Sequence, residues 1–328
     1  MAACTILILT YKGKHHLEFL LPTVKEAIDN YQGNVDVDVL IVDNGCDETT
    51  RQYSLSGFPQ FRYEFSPVND YLFSLNHFVR EMKAEYMLML NDDMKMDKEV
   101  LNELIPMMEK DNSLFAVSCR IMDFDGSYTA SGVRMAAYTR GWMRNYYLDT
   151  AETATKYTLY PGGGAAIFCT SYFNELGGFD TLFRPAYCED TDLGMRAWQQ
   201  GWKVVYHPKA ILYHREGGTI KDQFKQDRLE QTINKNQILC MMKNCRFSGF
   251  LAWFLLLLPY RLIFNYFRNK NLYRAMLMAL RQFPQAWRKR VTSKVKVHDE
   301  EWMPLLNGSY LFQSYKNERK ETVRSKEP

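Results

Sequence analysis

The chain has 328 residues, 46% hydrophobic and 24% charged, so it can bury a large core and is not a disordered protein. A net charge of +3 is nearly balanced and argues against a general nucleic-acid binder, although basic residues gather towards the C-terminus. Seven scattered cysteines without a CxxC pair fit a reducing cytosol better than a disulfide framework or a zinc site.

The first residues, Ala3-Cys4-Thr5-Ile6-Leu7-Ile8-Leu9-Thr10, lack a basic n-region and run directly into a strand pattern, so export is not expected. Residues 5–9 read as a first strand and 17–31 as a helix. A second strand covers 35–42 and ends in the turn Asp43-Asn44-Gly45. A helix is predicted over 71–83, a third strand over 86–90 and another helix over 99–110. This alternation predicts an α/β fold with a largely parallel, doubly wound sheet, as one large domain plus an appendage. The turns at Asp43 and Asp93 then share the carboxyl edge, where open α/β sheets bind ligands. Periodicity weakens over 123–160, which predicts an irregular or antiparallel segment.

Three clusters carry chemistry. The apolar run Tyr86-Met87-Leu88-Met89-Leu90 stops at Asn91-Asp92-Asp93. Carboxylates at a strand end suit Mg²⁺ or Mn²⁺, which a protein commonly holds with one or two carboxylates plus substrate phosphates. Asn91 and Asp92 fit equally well as a turn that caps a helix starting near Asp97. Gly162-Gly163-Gly164 precedes a small apolar strand and allows close backbone approach to a ligand, or simply a tight turn. Glu189-Asp190-Thr191-Asp192 precedes a helix, where its carboxylates either favour the N-terminus or place a general base near a metal-bound phosphate. His214 follows the strand-like runs 203–206 and 210–213, and reads as a structural histidine or a metal ligand.

Asp43-Asn44-Gly45, Asn91-Asp92-Asp93, Gly162-Gly163-Gly164, Leu176-Gly177-Gly178-Phe179-Asp180, Glu189-Asp190-Thr191-Asp192-Leu193 and His214, in that order, resemble the family 2 glycosyltransferases with a GT-A fold. The resemblance covers about residues 4–220. It implies inverting, metal-dependent transfer from a nucleoside diphosphate sugar, dTDP- or UDP-linked. It further implies that Thr10, Asp43, Asn44, Asp92, Gly163 and Gly164 border the donor, and that Asp93 and His214 hold Mn²⁺ or Mg²⁺. Asp190 would be the catalytic base. Asn91 stands where the family's DxD motif usually begins with Asp. The Asp43-Asn44-Gly45 form resembles the branch of rhamnosyl- and galactofuranosyltransferases, and dTDP-rhamnose is the expected donor.

Glu189, Trp142 and Tyr147 are candidates for binding the acceptor, the aromatics either stacking on a sugar or packing in the core. Residues 247–258 form an apolar run too short to cross a bilayer alone, set among arginines, lysines and aromatics up to residue 296. That mixture fits a peripheral helix on anionic lipid, or a helical appendage that packs on the catalytic domain or on a second subunit of a homo-oligomer. The expected divisions are a catalytic domain at 1–225, amphipathic helices at 226–298 and a polar, partly disordered tail at 299–328. The expected protein adds a sugar to a lipid-linked glycan at the cytoplasmic face of the membrane. A nucleotidyltransferase is the competing enzyme class, although Thr10-Tyr11-Lys12-Gly13-Lys14 is a poor phosphate loop. An inactive membrane-bound scaffold is the non-enzymatic alternative.

Overall fold

The computed structural model describes residues 3–127, 129–147, 154–215 and 226–307. In chain order the first half contains β1 (Ala3–Thr10), α1 (Lys14–Asp29), β2 (Asp36–Asp43), α2 (Glu48–Gly57), β3 (Arg62–Phe65), α3 (Leu75–Glu81), β4 (Tyr86–Asn91), β5 (Met94–Met96) and α4 (Val100–Lys110). Then follow β6 (Leu114–Asp123), β7 (Thr129–Ser131), β8 (Arg134–Thr139), β9 (Trp142–Tyr147), β10 (Lys156–Tyr157), β11 (Ala165–Cys169), α5 (Thr170–Glu175), α6 (Glu189–Gln199) and β12 (Lys203–His214). Helices α7 (Gln226–Asn244), α8 (Phe250–Arg268), α9 (Lys270–Thr292) and α10 (Asp299–Trp302) close the described chain.

The main sheet runs β10-β12-β6-β11-β4-β1-β2-β3. Neighbours β3, β2, β1 and β4 pair in parallel, as do β6 and β12. Between these two sets β11 lies antiparallel to both β4 and β6. All the parallel strands therefore end on one edge, and antiparallel β11 begins there. Strands β1 and β4 carry apolar runs because both of their faces are covered, and Ile6, Leu7, Ile8, Met87, Leu88 and Met89 are fully buried. On α1, Leu17, Leu20, Leu21, Val24 and Ala27 recur at helical spacing and form its buried face.

Several elements depart from the sequence pattern. The helix expected over 71–83 is a 3₁₀ turn, Tyr71–Ser74, followed by α3. The helix expected near Asp97 begins at Val100, because residues 94–96 pair with β12 instead. Neither α2 nor β3 was legible, since one carries few apolar residues and the other lies exposed at the sheet edge. The two strand-like runs before His214 form one strand, broken in register between His207 and Ile211.

The expected division at 225 falls among residues outside the described ones. Beyond it, α7 supplies buried polar groups to the segment that leads into α6. Lys243 Nζ lies 2.6 Å from both Asp180 Oδ2 and Asp192 Oδ1, and Asn244 Nδ2 donates to Asp192 Oδ1 at 2.7 Å. Arg196 Nε completes the cage of Asp192 at 2.7 Å. Asn236 Nδ2 reaches the carbonyls of Phe183, Ala186 and Tyr187. Where a polar tail was expected, α10 packs: Asp299 Oδ2 accepts from the Arg246 N–H at 2.6 Å and Trp302 stacks on Trp198. Residues 308–328 lie outside the described ones.

Because Lys243, Asp180 and Asp192 are all buried, removing one partner strands the others' charge. Lys243→Met is expected to cost about 3–5 kcal/mol of folding stability, measured by chemical denaturation.

Candidate active site

The carboxyl edge gathers the side chains with chemistry. Register places Thr10 opposite Asp43 and Leu9 opposite Asn91, so β1, β2 and β4 end almost level. The Asn44 N–H donates to the Thr10 carbonyl at 2.9 Å, which closes the two loops on each other. Asp43 is fully buried and accepts from the Gly45 and Asp47 N–H groups, each at 2.7 Å, and from the Tyr63 hydroxyl at 2.9 Å. Asn44 Nδ2 donates to the Tyr71 carbonyl at 3.1 Å, while its Oδ1 is buried without a hydrogen-bond partner among the described residues.

Thr10 Oγ1 donates to Asp92 Oδ2 at 2.6 Å. Burial raises the Asp92 carboxyl to about 7, reinforced by the charge of Asp93 and opposed by the bonds from Thr10 and the Tyr11 N–H. Gly13 makes room for this pair: a Cβ there would lie 2.1 Å from Asp92 Oδ2 and 2.3 Å from Thr10 Oγ1. Strand β5 pairs with the end of β12, setting Met94 opposite His214. Asp93 Oδ2 consequently lies 3.3 Å from His214 Nε2, and Asp93 Oδ1 is buried without a hydrogen-bond partner among the described residues.

The second cluster begins α6. Asp190 Oδ1 accepts from the Thr191 N–H at 2.6 Å. Burial raises the Asp190 carboxyl, with Arg134 and the Thr191 bonds pulling the other way. Glu189 is pushed up to about 8 by burial and by the charge of Asp190, and its Oε2 has no hydrogen-bond partner among the described residues. Arg134 lies with its guanidinium 5.0 Å from the Tyr160 ring centroid and donates to Ser118 Oγ at 3.2 Å. Tyr71 joins the two halves of the site: after burial, the charges of Glu189, Asp190 and Asp93 all hold its phenol protonated.

The glycines divide between the clusters. At Gly164 a Cβ would meet the Asn91 side chain at 2.2 Å, and at Gly163 it would meet Leu72 Cδ1 at 3.0 Å and Asp190 Cβ at 3.8 Å. Tyr147 bonds Tyr160, a neighbour of Asp190, at the open end of the β8–β9 hairpin. Trp142 sits at the other end of that hairpin, against Arg261 of α8, apart from the group. Sequence reasoning missed Gly13, Tyr71, Arg134 and Tyr160. Backbone strain would have been a guide: Lys12, Cys46, Tyr71, Tyr187 and Cys188 have φ of 52°, 49°, 50°, 73° and 70°, all in loops at this edge. Such values are not written in residue type.

The fold and this edge define a glycosyltransferase of the GT-A class. The profile described as glycosyl transferase family group 2 matches residues 86–297, and the chain belongs to that family. It is 25% identical over 244 residues to the N-acetylglucosaminyl-diphospho-decaprenol L-rhamnosyltransferase of Mycobacterium tuberculosis, covering 66% of this chain and 78% of the relative. Among solved structures, GalNAc-T7 with UDP, GalNAc and Mn²⁺ aligns with a TM-score of 0.58 and 13% identity, over 90% of this chain and 58% of that one. This chain thus spans little more than half of that protein. Residues 1–349 of S. aureus TarS in complex with UDP-GlcNAc align with a TM-score of 0.55 and 14% identity, over 87% and 81% of the two chains.

Glu189 supplies a test of the site's electrostatics. Its folded value lies above the ordinary 4.5, so the folded state holds a proton that the unfolded chain releases. Stability therefore falls as pH rises from about 4.5 to about 8. Glu189→Gln is expected to have the higher melting temperature at pH 8 and to match the wild type at pH 4, as read by thermal denaturation.

Proposed function

We propose that this glycosyltransferase moves rhamnose from dTDP-rhamnose to a lipid-linked glycan, with inversion at the anomeric carbon. The observation that carries the reading is the placing of two acidic clusters, Asp92-Asp93 with His214 and Glu189-Asp190, on either side of Tyr71. The choice of donor and acceptor class leans on the rhamnosyltransferase relative and its lipid-diphosphate acceptor.

The residues fit a divalent cation. Asp93 Oδ1 is an orphaned buried oxygen, and Asp93 Oδ2 and His214 Nε2 lie side by side. Among the described residues no three His, Cys, Asp or Glu side chains form a closed metal cluster. Two protein ligands and open positions for phosphate oxygens suit Mg²⁺ or Mn²⁺. Such an ion, bound there, would neutralise charge on the departing nucleoside diphosphate. Thr10, Asp43 and Asn44 would border the nucleoside, and Gly164 lets the backbone come close beside Asn91.

Asp190 is the base. Its Oδ1 is committed to Thr191, and the other oxygen takes the proton of the acceptor hydroxyl. As that proton leaves, the acceptor oxygen bonds the anomeric carbon and the bond to the diphosphate breaks on the opposite face. One displacement inverts the centre. Glu189, protonated to about pH 8, keeps a second negative charge away from Asp190. Tyr147 and Tyr160 would form the acceptor wall.

The membrane reading also belongs here. Helix α8 has 19 residues and runs through Pro259, so it is longer than the apolar run alone indicated and long and apolar enough to cross a membrane. Arg261, midway along it, donates to the Arg140 carbonyl at 2.8 Å and lies over the Trp142 ring, which ties the helix to the side of the catalytic fold. Leu255, Leu256, Ile263, Phe264 and Phe267 are exposed on it, with Arg268, Lys270, Arg274 and Arg281 exposed nearby. This combination fits a helix lying in an anionic lipid surface at the cytoplasmic face.

The test is release of nucleoside diphosphate from a panel of dTDP-, UDP- and GDP-sugars, with Mn²⁺ or Mg²⁺ and a crude lipid-linked acceptor extract. Turnover is expected with dTDP-rhamnose, to stop with EDTA, and to fall by about 10²–10⁴-fold in Asp190→Asn. Asp93→Ala is expected to lose turnover with either metal. Turnover of another sugar nucleotide would reassign the donor, and turnover of none, with folded protein, would favour a sugar-binding scaffold.

A further inference from the structure

A cavity of about 740 Å³ opens beside the loop that carries the base, away from the donor edge, and Arg184, Pro185, Arg228, Gln231, Lys235 and Met278 help to line it. Three of these are cations. Lys235 is only 3% exposed, yet among the described residues its ammonium has no carboxylate partner and one long hydrogen bond, 3.3 Å to the Arg184 carbonyl. Burial lowers its pKa. Arg228 is exposed on the rim and forms no ion pair among the described residues. Asp227 shares the rim, but its carboxylate accepts from Asn271 Nδ2 at 3.1 Å. A cation buried without a counter-charge is costly, and a cavity built around one is suited to an anion.

The cavity's position says which anion. Arg184 donates through Nε to both carboxylate oxygens of Asp70, at 2.9 and 3.0 Å, and Asp70 precedes Tyr71 of the active site. On the other side, Asn236, next to Lys235, holds the carbonyls of Phe183, Ala186 and Tyr187, which lead directly to Glu189 and Asp190. The donor diphosphate belongs to the edge at Asp92 and Asp93, so an anion held here approaches the base from the acceptor side. Met278 brings α9 into the wall, and α9 packs beside α8 with its exposed apolar face.

We propose that this cavity is the subsite for the diphosphate of a lipid-linked acceptor, held by Lys235, Arg228 and Arg184. Its place in the reaction rests on the glycosyltransferase function proposed above, whereas its affinity for a diphosphate does not. The probe is inorganic pyrophosphate, titrated calorimetrically in EDTA against the full chain. Wild type is expected to bind it, and Lys235→Met and Arg228→Gln each to weaken binding by about tenfold or more. The rim position of Arg228 makes its replacement safe for folding. In the transfer assay the acceptor KM is expected to rise by a similar factor in both variants. Unchanged pyrophosphate affinity in both would overturn the proposal. So would unchanged acceptor KM with reduced sedimentation on phosphatidylglycerol vesicles, which would assign the cavity to a lipid headgroup. Turnover of no sugar nucleotide, alongside intact pyrophosphate binding, would overturn the acceptor assignment through the proposed function and not through the cavity.

Discussion

The pairing of three residues, 94–96, with the end of β12 is the contact on which the site depends. Directly after Asp92-Asp93 the chain turns back as a strand and not as a helix, and this brings Asp93 against His214 from a position about 120 residues further on. Asp93 then keeps one buried oxygen without a partner. The same turn leaves Asp92 facing Thr10 and Gly13, so the two neighbouring carboxylates take different surroundings. A helix cap at these residues would have used the carboxylates to satisfy N–H groups and left none for a ligand.

Within residues 180–192 the structure separates two kinds of buried acid. Asp180 and Asp192 are matched by Lys243, Lys289, Arg196 and Asn244, and although burial opposes ionisation the lysines beside Asp180 hold its carboxyl well below the usual range. Among the described residues Glu189 and Asp190 have no such cation of their own beyond Arg134, and burial pushes both upward. Paired acids fix the loop, and in the under-compensated ones burial favours the protonated form. The C-terminal helices therefore do more than cover the core: α7 carries the compensating charge and, through Asn236, holds the backbone that presents Asp190.

The family match likewise runs on to residue 297, past the last strand of the sheet. The exposed apolar side chains on α8 and the polar contacts of α7 stand on one continuous helical layer joined by α9. Exposed apolar side chains, a cationic cavity and the loop before Asp190 are thereby held in a fixed relation by packing.

The sequence by itself determined the strands that are covered on both faces, because an unbroken apolar run of five or more residues has few other homes, and it determined which turns end at the carboxyl edge. The positions of Asp43 and Asp93 were legible for that reason, and His214 followed a strand-like run, whereas Asp190 was read before a helix and its role came only from the family resemblance. The sparsely apolar α2 and the short strands β3 and β5 were not, since their stability comes from neighbours and pairing and not from a long pattern of their own. Only the tertiary structure decided that Tyr71, Arg134 and Tyr160 stand beside the acids, that Trp142 does not, and that Lys235 is buried with no carboxylate partner among the described residues. Those are facts of distance between segments remote in the chain, and residue type carries no record of them until the sheet and its helices have closed.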